Sequence, residues 1–105
     1  MIHLVVLCKL EEQVTPDRLE EMVRSARSQL LKISEVLQVW AGKRVDPENQ
    51  WPFFYSVDCD SMDKLAMFRD DPVHVKFVET VIKPNTWAQL ELVYELEPGK
   101  DIRYS

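Results

Sequence analysis

Two stretches of this chain are apolar on both faces of a strand, and that leaves few ways to fold it. In residues 2–9, Ile2, Leu4, Val6 and Cys8 fall on one side and His3, Val5 and Leu7 on the other. Only His3 is polar. In residues 35–45, Leu37, Val39 and Ala41 oppose Val36, Gln38 and Trp40, so again neither side is plainly polar. A sheet made of such strands needs cover front and back. One layer of helices covers one face and leaves a large apolar patch on the other, which is unusual for a monomer. Stacking a second copy across a twofold axis removes that patch, at about 800 Å² per partner in interfaces of ordinary size. The sequence therefore predicts a homodimer.

The other elements follow from caps and alternation. Residues 11–14 form a loop, and Thr15-Pro16 then opens a helix, with Thr15 as N-cap and Pro16 in the first turn. Leu19, Met22, Val23, Ala26, Leu30 and Ile33 recur at helical spacing along its buried stripe. Residues 46–50 carry turn chemistry. Residues 51–60 then alternate strongly, with Phe53, Tyr55, Val57 and Cys59 against Phe54, Ser56, Asp58 and Asp60. Ser61 caps a helix over residues 62–69, and Asp71-Pro72 starts another that runs to about residue 82. Residues 86–96 form the last strand, with Ala88, Leu90, Leu92, Tyr94 and Leu96 on one face and Trp87, Gln89, Glu91, Val93 and Glu95 on the other. The order is βαββαβ. It predicts an α+β fold with a four-stranded antiparallel sheet and helices on one face. Ser56, Asp58, Gln89 and Glu91 are expected to line a partly wet barrel interior or rim.

Composition narrows the function classes. At 105 residues the chain suits one domain, over residues 1–97, with a polar tail at 98–105. Its 18 acidic and 13 basic side chains give a net charge of −5, and no basic cluster offers a nucleic-acid surface. No apolar run suits a membrane span, and the short apolar opening reads as a strand, not a signal peptide. Cys8 and Cys59 lack CxxC spacing, and free thiols there fit the cytoplasm, although a disulfide stays open.

His74 is the most informative side chain. It shares the stripe His74, Phe77, Val78 and Val81, which turns it toward the core. In the first turn of its helix the dipole favours an uncharged imidazole, suited to act as a general base. A core-edge histidine bonded to a carbonyl would show the same pattern. His3 would share a cavity with His74 if its strand face looks toward the helices. Two histidines make a poor metal site, so neither a metal nor a cofactor is expected. Tyr55, Tyr94, Trp40, Trp51 and Trp87 could furnish an aromatic pocket or plain core. Asp70 and Asp71 sit at a helix junction, where capping is the simpler role, and Asp58 and Asp60 are either acidic lumen groups or an exposed strand end.

The run Phe68-Arg69-Asp70-Asp71-Pro72-Val73-His74-Val75-Lys76-Phe77-Val78 resembles the stress-responsive dimeric α/β barrel family. Members commonly show an aromatic, two or three residues, His-Pro-x-His, then an apolar residue and Phe. The opening His3-Leu4-Val5-Val6-Leu7 is similar to that family's first strand, and Gly42 and the Lys83-Pro84 exit agree. The resemblance implies a ferredoxin-like homodimer forming a shared barrel, with a ligand cavity between sheet and helices. In a plant polyketide cyclase of the family, a tyrosine and the second motif histidine carry an aldol condensation. That histidine matches His74, and the first-strand histidine matches His3. The tyrosine position holds Phe68, which has no hydroxyl, and the first motif histidine is Asp71. The implied ligand contacts are His3, Tyr55, Phe68, Asp71 and Phe77, with His74 as the catalytic candidate.

Three functions are compatible with these residues. One is a dimeric protein binding a small hydrophobic or aromatic molecule. Another is a cofactor-free enzyme, cyclase-like or monooxygenase-like, with His74 as base and a cavity reaching both histidines. The last is an interaction module in which the dimer and the 98–105 tail serve assembly.

Overall fold

The three longer helices begin where a side chain supplies the start. In the computed structural model, which describes residues 1–97, strand β1 (Ile2–Leu10) leads into α1 (Pro16–Leu30). The Thr15 hydroxyl accepts the Arg18 N–H at 3.1 Å, and Pro16 sits where its missing N–H costs nothing. Strands β2 (Gln38–Lys43) and β3 (Phe53–Cys59) follow. Ser61 caps α2 (Met62–Asp70), accepting the Lys64 N–H at 3.2 Å, and Asp71 caps α3 (Pro72–Phe77), accepting the Val73 N–H at 2.8 Å. A π-helical turn (Val78–Ile82) and a last helical turn, α4 (Lys83–Asn85), deliver the chain to β4 (Thr86–Glu95).

The sheet order is β2-β3-β1-β4, with every pairing antiparallel. This is the expected ferredoxin-like α+β arrangement. The register decides which residues share a face. Ile2, Leu4, Val6 and Cys8 lie beside Cys59, Val57, Tyr55 and Phe53, and all eight are buried under the helices. Met22, Ala26 and Leu30 of α1, with Leu65, Phe68 and Phe77 of the later helices, close this core. On the reverse face His3, Val5 and Leu7 lie beside Asp58, Ser56 and Phe54, flanked by Gln38 and Trp40 of β2 and Tyr94, Leu92 and Leu90 of β4. Among the described residues no helix covers that side, and Trp40 and Tyr94 are 53% and 52% exposed. Gly42 faces Phe54 across β2 and β3, where an added Cβ would sit 3.0 Å from the ring. The glycine makes room for the aromatic ring.

Several expectations change. Strand β2 is shorter than residues 35–45, because Val36 still belongs to the turn after α1, donating its N–H to Ile33 O at 3.0 Å. The single helix over 72–82 divides into α3, the π turn and α4. Pro84 cannot continue the ladder, and the Asn85 and Thr86 side chains take the Val81 and Ile82 carbonyls at 2.7 and 2.8 Å. Ser56, Asp58, Gln89 and Glu91 do not share one interior. Val5 and His3 hold Ser56 and Asp58 on the open face, whereas Gln89 and Glu91 lie beside Cys8 and Val6 on the covered one. The 98–105 tail lies outside the described residues. Among the described residues no helix is long and apolar enough to cross a membrane.

Candidate functional site

The interruption between α2 and α3 sets the orientation of His74. In an unbroken helix the Val73 N–H would bond the Arg69 carbonyl, but here it goes to the Asp71 carboxylate. The Arg69 carbonyl instead lies 3.0 Å from His74 Nδ1. A carbonyl can only accept, so the proton of an uncharged imidazole sits on Nδ1 and Nε2 carries the lone pair. The ring is steadied by Phe68, whose centroid lies 4.3 Å away.

Beneath the helices, at the β1–β4 side, lies a cavity of about 370 Å³. Val6, Tyr55, Val78 and Ile82 are its apolar surface, His74 is its imidazole, and Gln89, Glu91 and Lys83 form its polar rim. The volume falls at the small end of ligand pockets, about 300–1,000 Å³. Tyr55 is 3% exposed and its ring meets Phe77 edge-on at 5.3 Å. Burial, then the nearby Cys8 and Glu91, push the Tyr55 hydroxyl above its ordinary range, so it stays protonated. Burial likewise pushes the Cys8 thiol up to about 12, which leaves it inert. Across the rim, the Arg69 guanidinium lies 3.5 Å from Glu91 Oε2. Arg69 therefore ties the cavity twice, by its carbonyl to His74 and by its side chain to Glu91.

Only part of the expected site comes together. Tyr55 and His74 line one cavity, with Phe77 and Phe68 packed behind them. Asp71 is committed to its cap. His3 is a correction: its strand parity sends it to the open face, opposite His74, where its Nδ1 pairs with Asp58 Oδ1. Among the described residues the sheet itself lies between the two histidines, so the cavity beside His74 does not reach His3. The imagined aromatic pocket also divides. Trp40 and Tyr94 stand on the open face, while Trp51 and Trp87 flank the Lys9 ammonium at 5.0 and 5.4 Å. Cys8 and Cys59 are free and buried at opposite ends of the β1–β3 pair. Gln89 and Glu91, expected at a partly wet interior or rim, were not named among the ligand contacts, yet they line this cavity. Their signal was two polar side chains alternating with Ala88, Leu90 and Leu92, which marks a strand with one wet face.

An antiparallel sheet with helices on one face, a cavity between the layers and a bare apolar reverse defines the ferredoxin-like class. Solved structures share it. A protein of Arabidopsis thaliana matches with a TM-score of 0.81 at 20% identity, over 95% of this chain and 99% of that one. A dimeric ferredoxin-like protein of unknown function from Thermobifida fusca matches at 0.81 and 21% identity, over 90% of each chain. The hydroxynitrile lyase of Passiflora edulis matches at 0.79 and 12% identity, over 94% of this chain and 95% of that one. No curated protein matches the chain. The chain belongs to the stress responsive A/B barrel domain family, whose profile matches residues 2–92.

Proposed function

We propose that this protein is a homodimer that binds a small hydrophobic or aromatic molecule in the cavity beside His74, without a cofactor. The reading rests on one observation above others: His74 Nδ1 is committed to the Arg69 carbonyl, which leaves Nε2 available in a cavity shared with Tyr55. The uncovered face supports the dimer, since Trp40, Phe54, Leu90, Leu92 and Tyr94 need a second apolar surface and a structural relative is dimeric. The acidic balance argues against nucleic acid, and two free buried thiols suit the cytoplasm. Screening small aromatic fragments by NMR tests the binding reading. Hits that shift His74 and Tyr55 signals are expected; hits confined to other surfaces, or none, would refute it.

A second reading is a cofactor-free enzyme with His74 as general base. It is favoured by Tyr55, a hydroxyl-bearing residue of β3 that lines the same cavity as His74, whereas Phe68 has no hydroxyl. Its test is His74→Ala. Loss of turnover with the dimer intact supports catalysis, whereas unfolding assigns His74 to packing.

A further inference from the structure

The hydrogen-bonding polarity of the cavity is set by bonds made outside it. Thr86 donates its hydroxyl hydrogen to the Ile82 carbonyl at 2.8 Å, so toward Gln89 it has only lone pairs left. Gln89 must therefore present its NH2, at 2.6 Å, and its carboxamide oxygen is the end left for the rim. The same reasoning applies to His74. In the uncharged ring its Nδ1 hydrogen is given to Arg69 O, and Nε2 then only accepts. Glu91 accepts by nature, and Arg69 approaches one of its oxygens, Oε2, leaving the other. Lys83, the cationic lining residue, has its ammonium 2.8 Å from Glu79 Oε1, one turn back on the helix. Tyr55 alone offers both a hydrogen and lone pairs. Three acceptors thus surround an apolar space, with one ambivalent hydroxyl among them.

We propose that the cavity selects uncharged ligands in which an apolar body carries hydroxyl or amino hydrogens, such as phenols and aromatic amines, and turns away carboxylates. The inference rests on the binding reading above and adds the ligand class. A ligand without donors leaves the three acceptors unsatisfied, and an anion meets the Glu91 carboxylate while the two nearby cations, Arg69 and Lys83, are already paired with Glu91 and Glu79.

Four probes of one shape test this: 4-propylphenol, 4-propylaniline, 4-propylanisole and 4-propylbenzoate, titrated calorimetrically into the intact protein, with His74 and Tyr55 NMR signals locating each. The phenol and aniline are expected to bind about tenfold or more tighter than the anisole, with the benzoate weakest. In Glu91→Gln, which keeps the side chain's shape, the phenol-to-benzoate ratio is expected to shrink by about tenfold. Equal binding of phenol and anisole at His74, a benzoate as tight as the phenol, or an unchanged ratio in Glu91→Gln would overturn the ligand class and leave the cavity standing. If no probe moved His74 or Tyr55, the binding reading would fall and this inference with it.

Discussion

The two faces of this sheet solve the same problem in different ways. The covered face buries most of its apolar side chains within one chain, and at β4 it has a wet margin, where Gln89 and Glu91 edge the cavity. The open face has more apolar surface than a single chain can cover. Its buried polar groups are Ser56 and Asp58, the latter paired with His3. One face is finished by helices and encloses a cavity; on the proposed reading the other is finished by a second protomer. Each face holds one of the two histidines, bonded in its own way.

The largest expected effect lies on the covered face. Phe68 is fully buried against His74, so Phe68→Ala is expected to cost about 3–5 kcal/mol in urea unfolding. On the proposed reading, the same chemistry acts between chains on the open face. Leu90 is 40% exposed, and Leu90→Glu is expected to weaken the dimer by about 100-fold while each chain stays folded, read by sedimentation. If Leu90→Glu unfolded the chain as Phe68→Ala should weaken it, the contrast between the faces would be lost.

Alkaline pH gives a smaller effect confined to the covered side. Burial raises the folded Cys8 thiol from 9.0 to about 12, so its contribution is complete below pH 9 and is lost as pH rises toward 12. Burial raises Cys59 and Tyr55 in the same direction. The Cys8 contribution should fall by about 1.4 kcal/mol by pH 10, and Cys8→Ala should flatten that slope in unfolding curves taken from pH 8 to 10. The smallest effect belongs to the rim. Glu79→Ala removes the pair with Lys83, four residues on, and should change stability by no more than about 0.5 kcal/mol.

Local signals carried most of the fold. Thr15, Ser61 and Asp71 cap the helices they announce, and Pro16 and Pro72 stand in the first turns, because capping depends only on neighbours three residues away. Strand alternation likewise put Tyr55 with the buried set, and the helical stripe turned His74 inward. The pairing of His3 with Asp58 was not legible, since it depends on a register joining residues 55 positions apart. For the same reason alternation along β3 and β4 could separate their two faces but not say which faces of different strands coincide. The π turn was hidden too. It depends on Asn85 and Thr86 competing for carbonyls that a plain helical stripe assigns to the backbone.

The claim that small molecules enter beside His74, on the covered face, has a direct test because the chain holds two histidines, one per face. Nitrogen-15 histidine spectra would be recorded before and after adding 4-propylphenol. The account predicts that the His74 ring carries its proton on Nδ1 and that its Nε2 signal moves on binding, while His3 stays unchanged. A response at His3 with His74 unmoved would place the ligand on the open face and contradict it.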